Sequence, residues 1–140
     1  MGRIISIDYG RKRTGLAVTD AMKIIANGLC TLPSAEVVDF LKGYVAQTDV
    51  ELFVVGQPKQ MNNEPSENMR YVEAFVKHLR KVIPDIPIKY FDERFTSVMA
   101  HQAMIDGGLK KMKRRDKALV DEISAVIILQ GYLERIRFTL

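Results

Sequence analysis

The 140-residue sequence holds a single cysteine, no tryptophan and two histidines. A lone Cys30 excludes an intrachain disulfide, and no Cys/His pattern of the zinc-binding kind is present. Both absences suit a reducing compartment, so a cytoplasmic location is expected. No apolar run approaches the ~20 residues that span a bilayer, and the N-terminus enters a strand pattern with no signal-peptide pattern ahead of it. No membrane partner is expected. No serine, cysteine or histidine nucleophile motif is present either. His78 falls on a helix among mostly polar neighbours and His101 in a short helix, and both read as solvated or structural. The missing tryptophan does not argue against a nucleic-acid partner, because phosphate contacts need no stacking platform. Repeats, linkers and low-complexity tracts are also lacking, so residues 1–140 read as one domain.

Apolar residues at 47% and charged residues at 27% are ordinary for a soluble chain with one hydrophobic core. The net charge of +4 is unevenly spread. Residues 110–117 carry six cationic side chains and one carboxylate, a net +5, which leaves −1 for all the rest. A smaller basic group is Arg11-Lys12-Arg13. Such clusters suit a polyanion, although a solvated loop kept soluble by its charge would look the same.

Along the chain, Ile5 and Ile7 alternate with Ser6 and Asp8, and Leu16 and Val18 alternate with Ala17 and Thr19. Residues 3–20 therefore read as two strands joined by a short basic turn. A third strand is expected over 24–26 and 29–32, interrupted near Asn27-Gly28, with Pro33 ending it and Ser34 offering an N-cap. Residues 36–46 form an amphipathic helix weakened at Gly43. Residues 51–56 are almost continuously apolar, as expected of a parallel strand covered on both faces. A polar loop with two prolines follows over 57–65. Ser66 then caps a helix carrying Met69, Val72, Phe75, Val76 and Leu79, which ends before Pro84. Residues 86–91 read as a strand, 97–105 as a short helix, and 118–135 as a strongly apolar helix packed on the sheet centre. The order implies an α/β fold. Its first, fourth and fifth strands run parallel, and the second runs antiparallel to the first.

Parallel strands align their carboxyl ends on one edge, where ligands usually bind. Asp8-Tyr9-Gly10, Gly56-Gln57-Pro58 and Asp92-Glu93-Arg94 all end there, and Asp121-Glu122 opens the last helix nearby. An aspartate closing a strand loses hydration and does nothing for strand propensity, so either a turn or a cation should compensate it. Asp121 shares a helical line with Ala125, Ile128 and Tyr132 and is expected to face the sheet. Glu122 shares one with Val126 and Leu129, so geometry leaves both open. Carboxylates crowded from distant segments repel one another unless a hard divalent cation joins them. Two such ions at a phosphodiester support hydrolysis. Helix caps and first-turn acids are the ordinary alternative.

At these residues the sequence resembles the YqgF family, also called RuvX, of the RNase H-like superfamily. The resemblance rests on Ile7-Asp8-Tyr9-Gly10, Arg13-Thr14-Gly15-Leu16-Ala17-Val18, Val54-Val55-Gly56-Gln57-Pro58, Asp92-Glu93-Arg94-Phe95-Thr96-Ser97 and the segment from Val120 to Leu129. It implies an RNase H-like fold: a five-stranded mixed sheet, second strand antiparallel, flanked by helices on both faces. It also implies a nuclease using Mg²⁺ or Mn²⁺, as two ions, and leaving 5′-phosphate and 3′-hydroxyl ends. Asp8, Glu93 and Asp121 correspond to the family's acidic metal-binding triad, with Asp121 selected over Glu122. Arg11, Lys12, Arg13, Arg94, Lys110, Lys111, Lys113, Arg114 and Arg115 would hold phosphates. Asp20 matches a frequent acid at the end of the second strand and is expected to support the metal site. Gln57 departs from the family, which usually has an apolar residue there.

The resemblance implies processing of a 16S rRNA precursor at its 5′ end, with Holliday junction resolution on branched DNA as the alternative. The first needs only a monomer, the second a symmetric homodimer. Two other classes fit less well. Asp8-x-Gly10 before a hairpin also resembles the phosphate loop of actin-like ATPases and sugar kinases, but those need two such domains. A non-catalytic nucleic-acid-binding module would have no use for the acidic set.

Overall fold

The computed structural model describes residues 2–57, 68–92 and 117–138, and within the last stretch the side chains of 122–136. Five strands, β1 (Arg3–Tyr9), β2 (Arg13–Thr19), β3 (Ala26–Pro33), β4 (Val50–Gln57) and β5 (Ile88–Asp92), form one sheet in the order β3-β2-β1-β4-β5. β1, β4 and β5 run parallel, while β2 runs antiparallel to both of its neighbours. Helices α1 (Val37–Gln47), α2 (Met69–Val82) and α3 (Lys117–Phe138) complete the architecture. The short helix expected at 97–105 lies outside the described residues. Among the described residues no helix is long and apolar enough to cross a membrane.

Alternation along the strands sorts the side chains onto two faces. Ile5 and Ile7 of β1, Leu16 and Val18 of β2 and Phe53 and Val55 of β4 pack with Val37, Val38 and Leu41 of α1 and with Met69, Val72, Phe75, Val76 and Leu79 of α2. The opposite face offers Ile4, Ala17, Leu52 and Val54 to Ala125, Ile128, Leu129, Tyr132 and Leu133 of α3. β4 is thus covered on both sides, which is why its sequence is apolar without alternation. Beneath α3 the face is built mostly of small residues. Ser6, Gly15, Ala17 and Thr19 are all buried there, which lets the helix backbone approach the strands closely.

Local expectations needed correction at four points. β3 is continuous through Asn27-Gly28. The irregularity is a register shift opposite Leu16-Ala17, where Cys30 and then Gly28 are the partners. Ser34 does not cap α1. It opens a short 3₁₀ turn (Ser34–Glu36) whose own cap is Pro33, and its hydroxyl is taken up by the Gly10 carbonyl and by Thr14 Oγ1 at 2.8 Å. Tertiary partners outcompete the local cap. Ser66 lies outside the described residues, and α2 takes Asn68 as its N-cap, with no side-chain cap bond. β5 begins at Ile88, and Pro87 contributes only its carbonyl, accepting from the Phe53 amide at 3.0 Å.

Candidate active site at the carboxyl edge of the sheet

β1 is the central strand, and its carboxyl end carries Asp8. Because Ile7 belongs to the α1/α2 face, Asp8 belongs to the α3 face together with Ile4 and Ser6. Its partner across β2 is Gly15, and on the other side Gly56 follows the Val55 that pairs with Ile7. Glycines on both flanks leave the half-buried carboxylate uncrowded by neighbouring side chains of the sheet.

The level of α3 over this strand is set by one hydrogen bond. Ser6 Oγ, fully buried, donates to the Ala125 carbonyl at 2.6 Å. Asp8 lies two residues further along β1, about 6.6 Å at strand rise. Asp121 lies one turn earlier in α3, about 6 Å at helical rise. By this count the second turn of α3, which holds residue 121, falls level with residue 8 at the carboxyl end of β1. The helix itself begins a turn earlier, at Lys117, and its first turn holds no acid, so Asp121-Glu122 does not open it. The side chain of Asp121 lies outside the described residues, as does Glu93, the residue after β5. β5 ends with Asp92 paired to Gln57, two strands from β1 and so about 9.6 Å across the sheet. Among the described residues no three His, Cys, Asp or Glu side chains form a metal-binding group.

Two acids belong elsewhere. Asp20, expected to support the metal site, follows β2 and so lies at the amino end of β1, opposite Asp8. The pair Ile5–Val18 places it about five residues, roughly 17 Å, down the strand from Asp8. Its carboxylate closes a turn, accepting from the Ile24 amide at 2.7 Å and the Ile25 amide at 2.9 Å. The hydrogen bonds from Ile25 and Ile24 hold its pKa below the usual carboxylate value. Glu122 reaches toward β3. A methyl group on Gly28 would sit 2.1 Å from Glu122 Oε1. Burial, and then the charge of Glu122, push the Cys30 thiol upward.

Of the expected phosphate-binding residues, Arg11 and Lys12 are exposed in the turn between β1 and β2, and Arg13 opens β2 half-buried. Arg94, Lys110, Lys111, Lys113, Arg114 and Arg115 lie outside the described residues. The turn is tight: a Cβ on Gly10 would lie 2.5 Å from the Arg13 carbonyl oxygen. The structure adds Arg70 and Tyr71, which sequence reading passed over, and they are brought to this turn through Tyr9. Tyr9 stacks on Phe75 with ring centroids 4.6 Å apart, which brings the middle of α2 against the end of β1. One turn earlier on α2, the Tyr71 ring receives the Arg11 guanidinium at 4.8 Å and that of Arg70 at 5.1 Å. A hydrogen bond from Arg70 at 3.4 Å, with the charges of Arg70 and Arg11, holds the Tyr71 phenol below its ordinary pKa.

This sheet order, with one antiparallel strand and helices on both faces, is that of the RNase H-like nucleases. A solved structure of Thermus thermophilus RuvC in complex with a Holliday junction substrate shares the fold at TM-score 0.56 and 16% identity, covering 97% of this chain and 96% of that one. The family described as RuvX, Holliday junction resolvase, matches residues 2–135, and the chain belongs to it. Two relatives carry the name "Putative pre-16S rRNA nuclease". One, from Parabacteroides distasonis, is 68% identical over the full length of both chains. The other, from Phocaeicola vulgatus, is 65% identical over 134 residues, 96% of each.

Proposed function

We propose that this protein is a nuclease hydrolysing phosphodiester bonds of structured nucleic acid with Mg²⁺ or Mn²⁺, acting in the cytoplasm on the 5′ end of the 16S rRNA precursor. The observation that supports the reading is the Ser6–Ala125 hydrogen bond, from which the backbone of residue 121, in the second turn of α3, counts back to the level of Asp8 at the carboxyl edge of the sheet. An all-carboxylate set of oxygen donors suits a hard divalent cation, and the glycines flanking Asp8 leave room for one. Asp8, Glu93 and Asp121 would hold the metal. A pair of such ions, when bound, supplies the charge that makes water nucleophilic and stabilises the leaving oxygen. Arg11, Lys12 and Arg13 draw in the phosphate backbone without reading bases. Arg94, Lys110, Lys111, Lys113, Arg114 and Arg115 extend that basic surface.

The choice of RNA follows the names of the relatives, which match this chain over 96% of its length or more. The family's description favours the second reading, cleavage of a four-way DNA junction, which requires two copies presenting two sites. Metal-dependent cleavage of a 16S precursor leader, run beside a four-way junction, separates the two. The leader is expected to be cut, and Asp8→Asn, Glu93→Gln and Asp121→Asn each abolish cutting while leaving the fold intact. Glu122→Gln, whose carboxylate serves β3, cuts at nearly the parent rate. Full activity in Asp8→Asn overturns the reading, and preference for the junction transfers it to DNA.

A further inference from the structure

Arg11, Arg70 and Tyr71 form a cluster of charged and aromatic side chains on the described surface. These residues come from two segments about sixty positions apart in sequence. Both guanidinium groups lie against one ring, which keeps them within about 10 Å of each other, where like charges repel. Among the described residues no carboxylate is paired with either. The first turn of α2 holds no acid. Arg11 and Arg70 are exposed and Tyr71 is half-buried. An arrangement that gathers two cations, pairs them with no carboxylate among the described residues and leaves them open to solvent is complementary to a phosphate group, which two arginines recognise with fixed geometry.

We propose that Arg11 and Arg70, aligned by the Tyr71 ring, form a clamp for a backbone phosphate of the nucleic-acid strand, away from the bond that is cut. The inference rests on the nuclease reading for the identity of the strand. Arg11 lies three residues from Asp8, so the clamp stands no more than about 10 Å of chain from the acidic edge. It lies on the α2 side of the sheet, whereas Asp8 faces α3. A strand running over the end of β1 would meet both, with the clamp engaging a phosphate a few nucleotides from the acids. Tyr71 acts as a positioning residue. Its ring quadrupole holds two flexible side chains in place before the strand arrives, reducing the rotamer freedom that binding must remove.

The test is equilibrium binding to fluorescently labelled RNA hairpins with a single-stranded flank, measured by anisotropy across a salt series with divalent metal chelated so that the strand stays whole. Two hairpins of one shape and different sequence serve as probes. Arg70→Gln is expected to weaken binding to both equally and to flatten the slope of log K against log salt by about 0.7–0.9, one phosphate contact. Tyr71→Phe keeps the ring and the affinity. Tyr71→Leu weakens binding about two- to fivefold with the slope unchanged. A thermal melt of each variant confirms that it is folded. Unaltered affinity and slope in Arg70→Gln, or a loss confined to one sequence, overturns the clamp. Asp8→Asn separates the two proposals: it binds like the parent, and if it still cuts RNA, the acidic site fails while the clamp stands.

Discussion

Ser6 and Ala125, 119 residues apart in sequence, are joined by a 2.6 Å hydrogen bond in the buried layer between β1 and α3. The bond is a buried polar tie within a layer made mostly of Ile4, Ala17, Leu52, Val54 and the apolar face of the helix. It therefore fixes how far α3 slides along β1, which apolar contacts alone specify loosely.

Ser6→Ala removes that tie without opening a large cavity. Stability is expected to fall by about 1 kcal/mol, the net worth of a typical buried hydrogen bond. The midpoint of a urea transition would shift with little change in its slope. RNA cleavage should fall further than the stability loss accounts for, because residue 121 rides on the helix that Ser6 anchors.

Gly10 and Gly43 call for opposite outcomes from one substitution. At Gly10 a Cβ meets the backbone carbonyl of Arg13 at 2.5 Å, and a carbonyl cannot step aside without opening the turn. Gly10→Ala should cost roughly 1–3 kcal/mol, as overpacking does, and displace Arg11. At Gly43, exposed on α1, a Cβ meets nothing within 4 Å. Gly43→Ala should stabilise by about 0.5–1 kcal/mol through helix propensity. Denaturant titrations of the two variants should move their midpoints in opposite directions.

Asp20 predicts a pH dependence of stability whose sign follows from its partners. Two backbone amides stabilise the charged form, so the folded pKa lies below the ordinary value of 3.8. The contribution is complete above 3.8 and disappears as pH falls through the lower folded value. Asp20→Asn keeps an acceptor for the turn but cannot titrate. Its stability, followed from pH 6 downward, should show less acid dependence than the parent, and the two profiles should converge at the lowest pH. Cleavage at neutral pH should be unaffected, since the residue sits at the far end of the strand.

How much of this was legible in the sequence depends on whether the deciding interaction was local. β4 could be read directly, because burial on both faces leaves an unbroken apolar run. Asp8 stood out because an aspartate at a strand end gains nothing from being there. Asp20 looks similar in sequence, and only the antiparallel direction of β2 sends it to the opposite edge of the sheet. Ser34 carried a capping pattern that Gly10 and Thr14 took over from another part of the chain. Arg70 and Tyr71 gave no signal at all. They sit on the polar side of an amphipathic helix, and their meaning comes from Arg11 across the fold. Glu122 was left undecided between the metal site and another role, since its helical line alone permits both.

Glu122 and Cys30 make that distinction measurable without any nuclease assay. Burial raises the thiol pKa first, and the Glu122 carboxylate raises it further. Cys30 should therefore react slowly with iodoacetamide at neutral pH, where the thiolate is scarce. Glu122→Gln removes the carboxylate's contribution and leaves the burial in place. The thiol pKa should move down part of the way, and alkylation at fixed pH should become faster. Glu122→Asp, shorter by one methylene, should fall between the two. An alkylation profile identical in Glu122→Gln and the parent would mean that the carboxylate does not lie over β3, and would return Glu122 to contention as a metal ligand beside Asp121.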